Sequence, residues 1–124
     1  MPISDILTFP HFWVMLIGIA LLALSIIVVT IHKPEKWFLL HKTFAMAGII
    51  LTLIGLLVLM GLNFILIHAI FGLVVIVWLI GEILGGYVAS KKQDKNMRKM
   101  HILAGRIVFL IAIIVLIFGI LAFI

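Results

Sequence analysis

Residues 67–90 read IHAIFGLVVIVWLIGEILGGYVAS. A histidine, His68, stands at the mouth of this greasy run, and a glycine, Gly72, follows four places on. The form recurs at His101 to Gly105, and at His41 to Ala45 with alanine in place of glycine. Each opens a long apolar segment. A helix needs roughly 20 apolar residues to cross the hydrocarbon core of a bilayer. Soluble domains are about half apolar, whereas this chain of 124 residues is 67% hydrophobic with a mean hydropathy of +1.51. It has room for four spans and little else. The fold class is therefore an all-α membrane protein, with residues 1–124 forming one domain.

Punctuation residues place the spans. Pro10 suits a first helical position and Pro34 stops continuation, giving a first span over about 10–32. The second begins near Glu35 and runs to about residue 60, with Gly61 as its stop. Asn63 reads as the N-cap of a third span over about 64–90. Asp94 reads as the cap of the fourth, about 95–123. Short connections make consecutive spans antiparallel neighbours, so the expected architecture is a four-helix up-down-up-down bundle.

The net charge of +5 is a topology signal and does not point to nucleic acid. Lys33, Lys36 and Lys42 cluster at the first connection, and Lys91, Lys92, Lys95, Arg98 and Lys99 at the third. The second connection and the amino-terminal segment carry no Lys or Arg. The positive-inside rule then puts both basic loops in the cytoplasm and both termini outside, with the plasma membrane as the expected location. Trp13 and Trp37 fall near opposite interfaces, as an aromatic belt requires. The amino terminus does not read as a signal peptide, because it lacks a basic leader and a small-residue cleavage site. With no cysteine, disulfides, iron–sulfur clusters and covalently attached c-type haem are excluded.

His11, His41, His68 and His101 each lie near the start of a different span. Because the spans alternate in direction, His11 and His68 share one side of the membrane, and His41 and His101 the other. Each pair sits on a diagonal of the bundle. Neighbouring axes about 8–10 Å apart make that diagonal roughly 13 Å, enough for two histidines to grip one flat macrocycle from both faces. Ala45, Gly72 and Gly105 lie one turn deeper on the same faces and leave room for such a ring. In the first span Met15 takes that position, with Gly18 a turn further on. Counted from Asp94, His68 and His101 differ in depth by 19 residues, which is about 28 Å of helical rise. The residues thus point to two non-covalent b haems near opposite faces. A lone intramembrane histidine is as readily a helix–helix hydrogen-bonding residue. Four at matched depths, three of them with small partners, are not explained that way.

These residues resemble the four-helix core of the cytochrome b-561 family, transmembrane cytochromes that pass electrons from ascorbate to an acceptor across a membrane. The resemblance runs from Phe9-Pro10-His11 through Leu39-Leu40-His41 and Ile67-His68-Ala69-Ile70-Phe71-Gly72 to Arg98-Lys99-Met100-His101. It implies two b haems ligated by the first with the third histidine and the second with the fourth, the pairing that the diagonals also suggest. It further implies that Lys36 and Arg98 match cytoplasmic cations that bind the anionic reductant. Lys42 and Lys99 join them as candidate substrate residues beside the haem propionates. Glu82 falls where the family usually has glutamine.

Other features have plainer readings. His32 is expected to be a solvated loop residue. Gly48, Gly55, Gly85 and Gly86 are expected to serve close helix packing. Glu82 and Arg106 are each 12 residues from Asp94. At that equal depth they are expected to form an ion pair, or else a proton path to a quinone-like acceptor.

Two other functions stand beside transmembrane electron transfer. A haem-bearing anchor subunit would link a dehydrogenase to a quinone pool, and needs a redox partner protein. A small multidrug-type transporter also has about four helices and one membrane carboxylate, but leaves the histidines unexplained. Membrane lipid, a small donor and acceptor such as ascorbate or a quinone, and a redox partner protein or homodimer are the expected partners.

Overall fold

The computed structural model describes residues 3–59 and 67–122, and among these every regular element is helical. A one-turn helix α1 (Ile3–Ile6) precedes α2 (Pro10–Ile31) and α3 (Trp37–Ile54). The chain then winds as a π-helical turn over Gly55–Leu59. Helices α4 (Ile67–Lys92) and α5 (Lys95–Leu121) complete the bundle. Four segments are long and apolar enough to cross a membrane: Pro10–Ile31, Trp37–Leu57, Ile67–Lys92 and Lys95–Leu121. The expected stop at Gly61, the cap at Asn63 and the outer span limits at 60, 64 and 123 lie outside the described residues.

The helix ends follow their local chemistry. Pro10 occupies the first turn of α2, where its missing N–H costs nothing. His32 closes α2 in the left-handed region, φ 54°, and its backbone N–H bonds the Val28 carbonyl at 3.0 Å. The exposed His32 is thus a helix cap, and its ring stands edge-on to Trp37 at 4.4 Å. Asp94 caps α5 as its sequence position predicts, accepting from the N–H groups of Asn96 at 2.8 Å and Met97 at 3.3 Å. Helix α3 starts two residues later than expected, because residues 34–36 are used in the turn that Trp37 closes onto the Pro34 carbonyl.

Helices α2 and α3 pack along their length, and so do α4 and α5. The two hairpins touch one another much less, through α2 with α5 and α3 with α4. The diagonals are accordingly α2–α4 and α3–α5. Leu22, Ile49, Val75, Leu79, Val108 and Ala112 form one buried layer drawn from all four spanning helices, with Val108 fully enclosed. The crossing of α2 and α3 is closer than side chains allow. A Cβ on Gly48 would stand 2.8 Å from the Gly18 carbonyl oxygen, and one on Gly18 would stand 2.8 Å from Thr52 Cγ2. Gly18 therefore belongs to this crossing.

The close approach makes a stability prediction. Gly48→Ala should lower the thermal unfolding midpoint in detergent, at a cost on the order of 1–3 kcal/mol, because backbone must shift to admit the methyl group. Gly81→Ala is the contrast, since nothing lies within 4 Å of its Cβ position. It should be neutral or slightly stabilising, alanine being the better helix former by about 1 kcal/mol. Equal melting of the two variants would remove the packing role of Gly48.

Candidate functional site

The second residue of α2 is His11 and the second of α4 is His68. Both helices start at the same end of the bundle, and the two side chains line one apolar cavity between the hairpins. Phe12, Met15, Leu56, Val115 and Gly119 contribute to its wall, as do Ile6 of α1 and Phe9. At the other end His41 of α3 and His101 of α5 face each other with ring centroids 6.3 Å apart and planes at 79°. The four histidines thus come together as the two diagonal pairs, separated by the apolar layer around Val108.

Hydrogen bonds to the rings define which nitrogen is available. His11 Nδ1 lies 2.8 Å from the Gly55 carbonyl oxygen. That carbonyl begins the π-helical turn, a distortion that re-aims backbone groups and is frequent at functional sites. His41 Nδ1 lies 2.8 Å from Ser25 Oγ and 3.1 Å from the Ser25 carbonyl oxygen. The Ser25 hydroxyl donates in turn to the His41 carbonyl at 3.0 Å. His101 Nδ1 lies 2.8 Å from Glu82 Oε2, and neither atom has another polar partner among the described residues. Carbonyl and carboxylate oxygens accept and do not donate. Nδ1 therefore carries the proton in all three rings, and Nε2 keeps a free lone pair. Metal-ligating histidines are held this way, by an acceptor on the far nitrogen that fixes tautomer and orientation.

The small residues divide their roles differently from the sequence expectation. Gly72 lines the His11–His68 cavity, and a Cβ there would meet only Leu56 and Val115, at 3.8 and 4.0 Å. Ala45 is half-buried on α3, one turn beyond His41. A Cβ on Gly105 would stand 3.4 Å from Glu82 Oε2, so the missing side chain makes room for that carboxylate. Gly86 and Gly119 receive the histidine rings across the α4–α5 interface. Their Cβ positions lie 2.9 Å from His101 Cε1 and 3.5 Å from His68 Cδ2. Gly86 thus accommodates a ring, which a reading along one helix does not reveal.

The Glu82 partner also differs. The expected ion pair with Arg106 does not form; Arg106 is exposed on α5, and Glu82 engages His101. Equal depth on adjacent helices was compatible with either outcome. Helical phase turns Glu82 towards the ring, 2.8 Å from Nδ1. Lys36, Lys42, Arg98 and Lys99 are exposed at the His41–His101 end, with the Lys42 ammonium 4.8 Å from the Phe38 ring centroid. Eight of the nine cations of the chain cluster there, the ninth being Arg106.

Ser25 is the partner of His41 that the sequence pattern does not single out. Its signal was a buried hydroxyl in an otherwise aliphatic run, LLALSIIVV, because a polar group inside a membrane needs a partner.

No curated protein and no solved structure matches the chain. A family model described as eukaryotic cytochrome b561 matches residues 9–123.

Proposed function

From the premise that the chain belongs to the eukaryotic cytochrome b561 family, whose members transfer electrons across membranes by haem, we propose a two-haem relay. It is an integral membrane protein with four spanning helices, and the family implies haem b. In this reading His11 with His68 would hold one haem, and His41 with His101 would hold the other. Each bound haem supplies a one-electron iron couple. With two histidines holding each haem, the protein would contribute position and electrostatics.

The observation that carries this reading is the shared hydrogen-bonding pattern of His11, His41 and His101. Three rings on three different helices each give Nδ1–H to an acceptor and leave Nε2 free. Ser25, the Gly55 carbonyl and Glu82 hold the rings in place. The buried layer around Val108 keeps water out of the space between the pairs. Gly72 borders the His11–His68 cavity.

The basic end faces the cytoplasm, by the distribution of cations, and both termini lie outside. The membrane is the plasma membrane. Lys36, Lys42, Arg98 and Lys99 neutralise propionates and attract a small anionic reductant of the ascorbate type. The opposite end has no lysine or arginine, so its acceptor is less anionic or lipid-soluble. Electrons enter at the basic end and leave at the other.

A pyridine haemochrome assay on purified protein should give two b haems per chain. A value of one, or none, contradicts the relay.

A further inference from the structure

We propose that Glu82 is a positioning residue that acts through His101 to hold the basic-end haem at a lower redox potential than the haem at the opposite end. The electron's path across the membrane then runs downhill from cytoplasm to exterior. This inference rests on the two-haem reading above.

The contact is built from several sides. Glu82 lies within a spanning segment with its side chain only 15% exposed. A carboxylate at such a place is costly and needs a dedicated partner. That partner is His101 Nδ1 at 2.8 Å. Gly105 leaves the space the carboxylate occupies, and Gly86 lets the His101 ring lie against α4. With Arg106 turned away on α5, no arginine or lysine pairs with Glu82 among the described residues.

The asymmetry between the two ends lies in the charge of these acceptors. His11 gives its proton to a backbone carbonyl, and His41 to a hydroxyl and a carbonyl. His101 gives its proton to a carboxylate. A charged acceptor makes the stronger hydrogen bond. It pushes electron density into the ring and raises the basicity of the ligating nitrogen. A more basic ligand stabilises the ferric state over the ferrous one and lowers the potential. The lysines and arginine at the same end act in the opposite sense, because positive charge favours the ferrous state. They are exposed, however, and water and salt screen them with a Debye length of about 8 Å. Glu82 touches the ligand itself in a low-dielectric interior, where an equal charge acts several times more strongly. The carboxylate therefore dominates. The step is a single electron passing from the reduced basic-end haem to the oxidised far-end haem, with no bond made or broken. The anionic reductant supplies the electron.

The test is a potentiometric titration of the purified holoprotein, followed by absorbance, in wild type, Glu82→Gln, Glu82→Asp and His41→Ala. Wild type should show two one-electron waves, and His41→Ala should lose the lower one. Glu82→Gln keeps an acceptor oxygen and nearly the same volume but removes the charge. Its lower wave should move up towards the upper wave, which stays in place. Glu82→Asp keeps the charge at shorter reach and should show a smaller upward shift of the same wave. It carries the test if the glutamine variant does not fold. A merely structural glutamate would change haem occupancy or melting without this selective shift. Two waves that ignore both Glu82 substitutions overturn the inference alone. So does a lower wave that survives His41→Ala. A wild type with a single wave and two haems per chain overturns this inference alone, and one with a single wave and one haem per chain overturns the two-haem reading with it.

Discussion

Liposomes loaded with ascorbate and carrying the wild-type chain should reduce ferricyanide added outside. Liposomes carrying His41→Ala or His68→Ala should not. Ferricyanide does not cross a bilayer, so its bleaching reports electrons that have done so. The expected loss is complete in either variant because the two histidine pairs lie in series, at opposite ends of one bundle. The apolar layer of Leu22, Ile49, Val75, Leu79, Val108 and Ala112 fills the space between them and offers no redox group of its own. Undiminished transfer in both variants would rule out the relay. The same assay examines the basic end. Lys36 and Arg98 are exposed there, so replacing both should slow reduction by ascorbate at low ionic strength and flatten its salt dependence. An unchanged rate at low salt would argue against their binding role.

Removing one histidine should halve the bound haem. His41→Ala is expected to lose the basic-end haem and largely spare the other, leaving about one per chain where wild type holds two. His68→Ala should do the reverse. A truncated ligand leaves one axial bond unmade. At the basic end it also leaves the Ser25 hydroxyl and carbonyl oxygens without the ring Nδ1–H that donates to them, at a cost of about 1–3 kcal/mol for a buried unpaired group. Independence of the two sites follows from the packed layer between them, which neither pair crosses. Haem content and the reduced-minus-oxidised spectrum of each variant measure the outcome. Full occupancy at both sites in His41→Ala would show that the pairing is wrong.

The transporter alternative fails on family membership, which covers residues 9–123. The features that made it conceivable, four short-looped spans and one membrane carboxylate, belong to any small bundle. Glu82 became informative only with its partner in view.

Several features are legible in the sequence. Apolar runs of helical length set the number of spans, because no other element satisfies its own backbone inside lipid. Pro10 and Asp94 marked helix starts, since capping chemistry is local in sequence. Depth was countable, as each residue rises by a constant amount along a helix; this placed the histidines in two layers.

Rotation about each axis and contacts between helices were not countable, and there the tertiary structure decided. It turned Glu82 to His101 and left Arg106 exposed, although both stand equally far from the loop. It brought Ser25 of α2 to His41 of α3, two residues that a turn joins but no periodicity links. It gave the Gly55 carbonyl to His11 at a change of helical winding. It also drew Gly86 and Gly119 against rings carried by the neighbouring helix. The sequence by itself determined the spans and the depth of each histidine, which depend on local hydrophobicity and constant rise. Which acceptor each ring nitrogen meets depends on the phase of one helix against another, and only the packed bundle sets that.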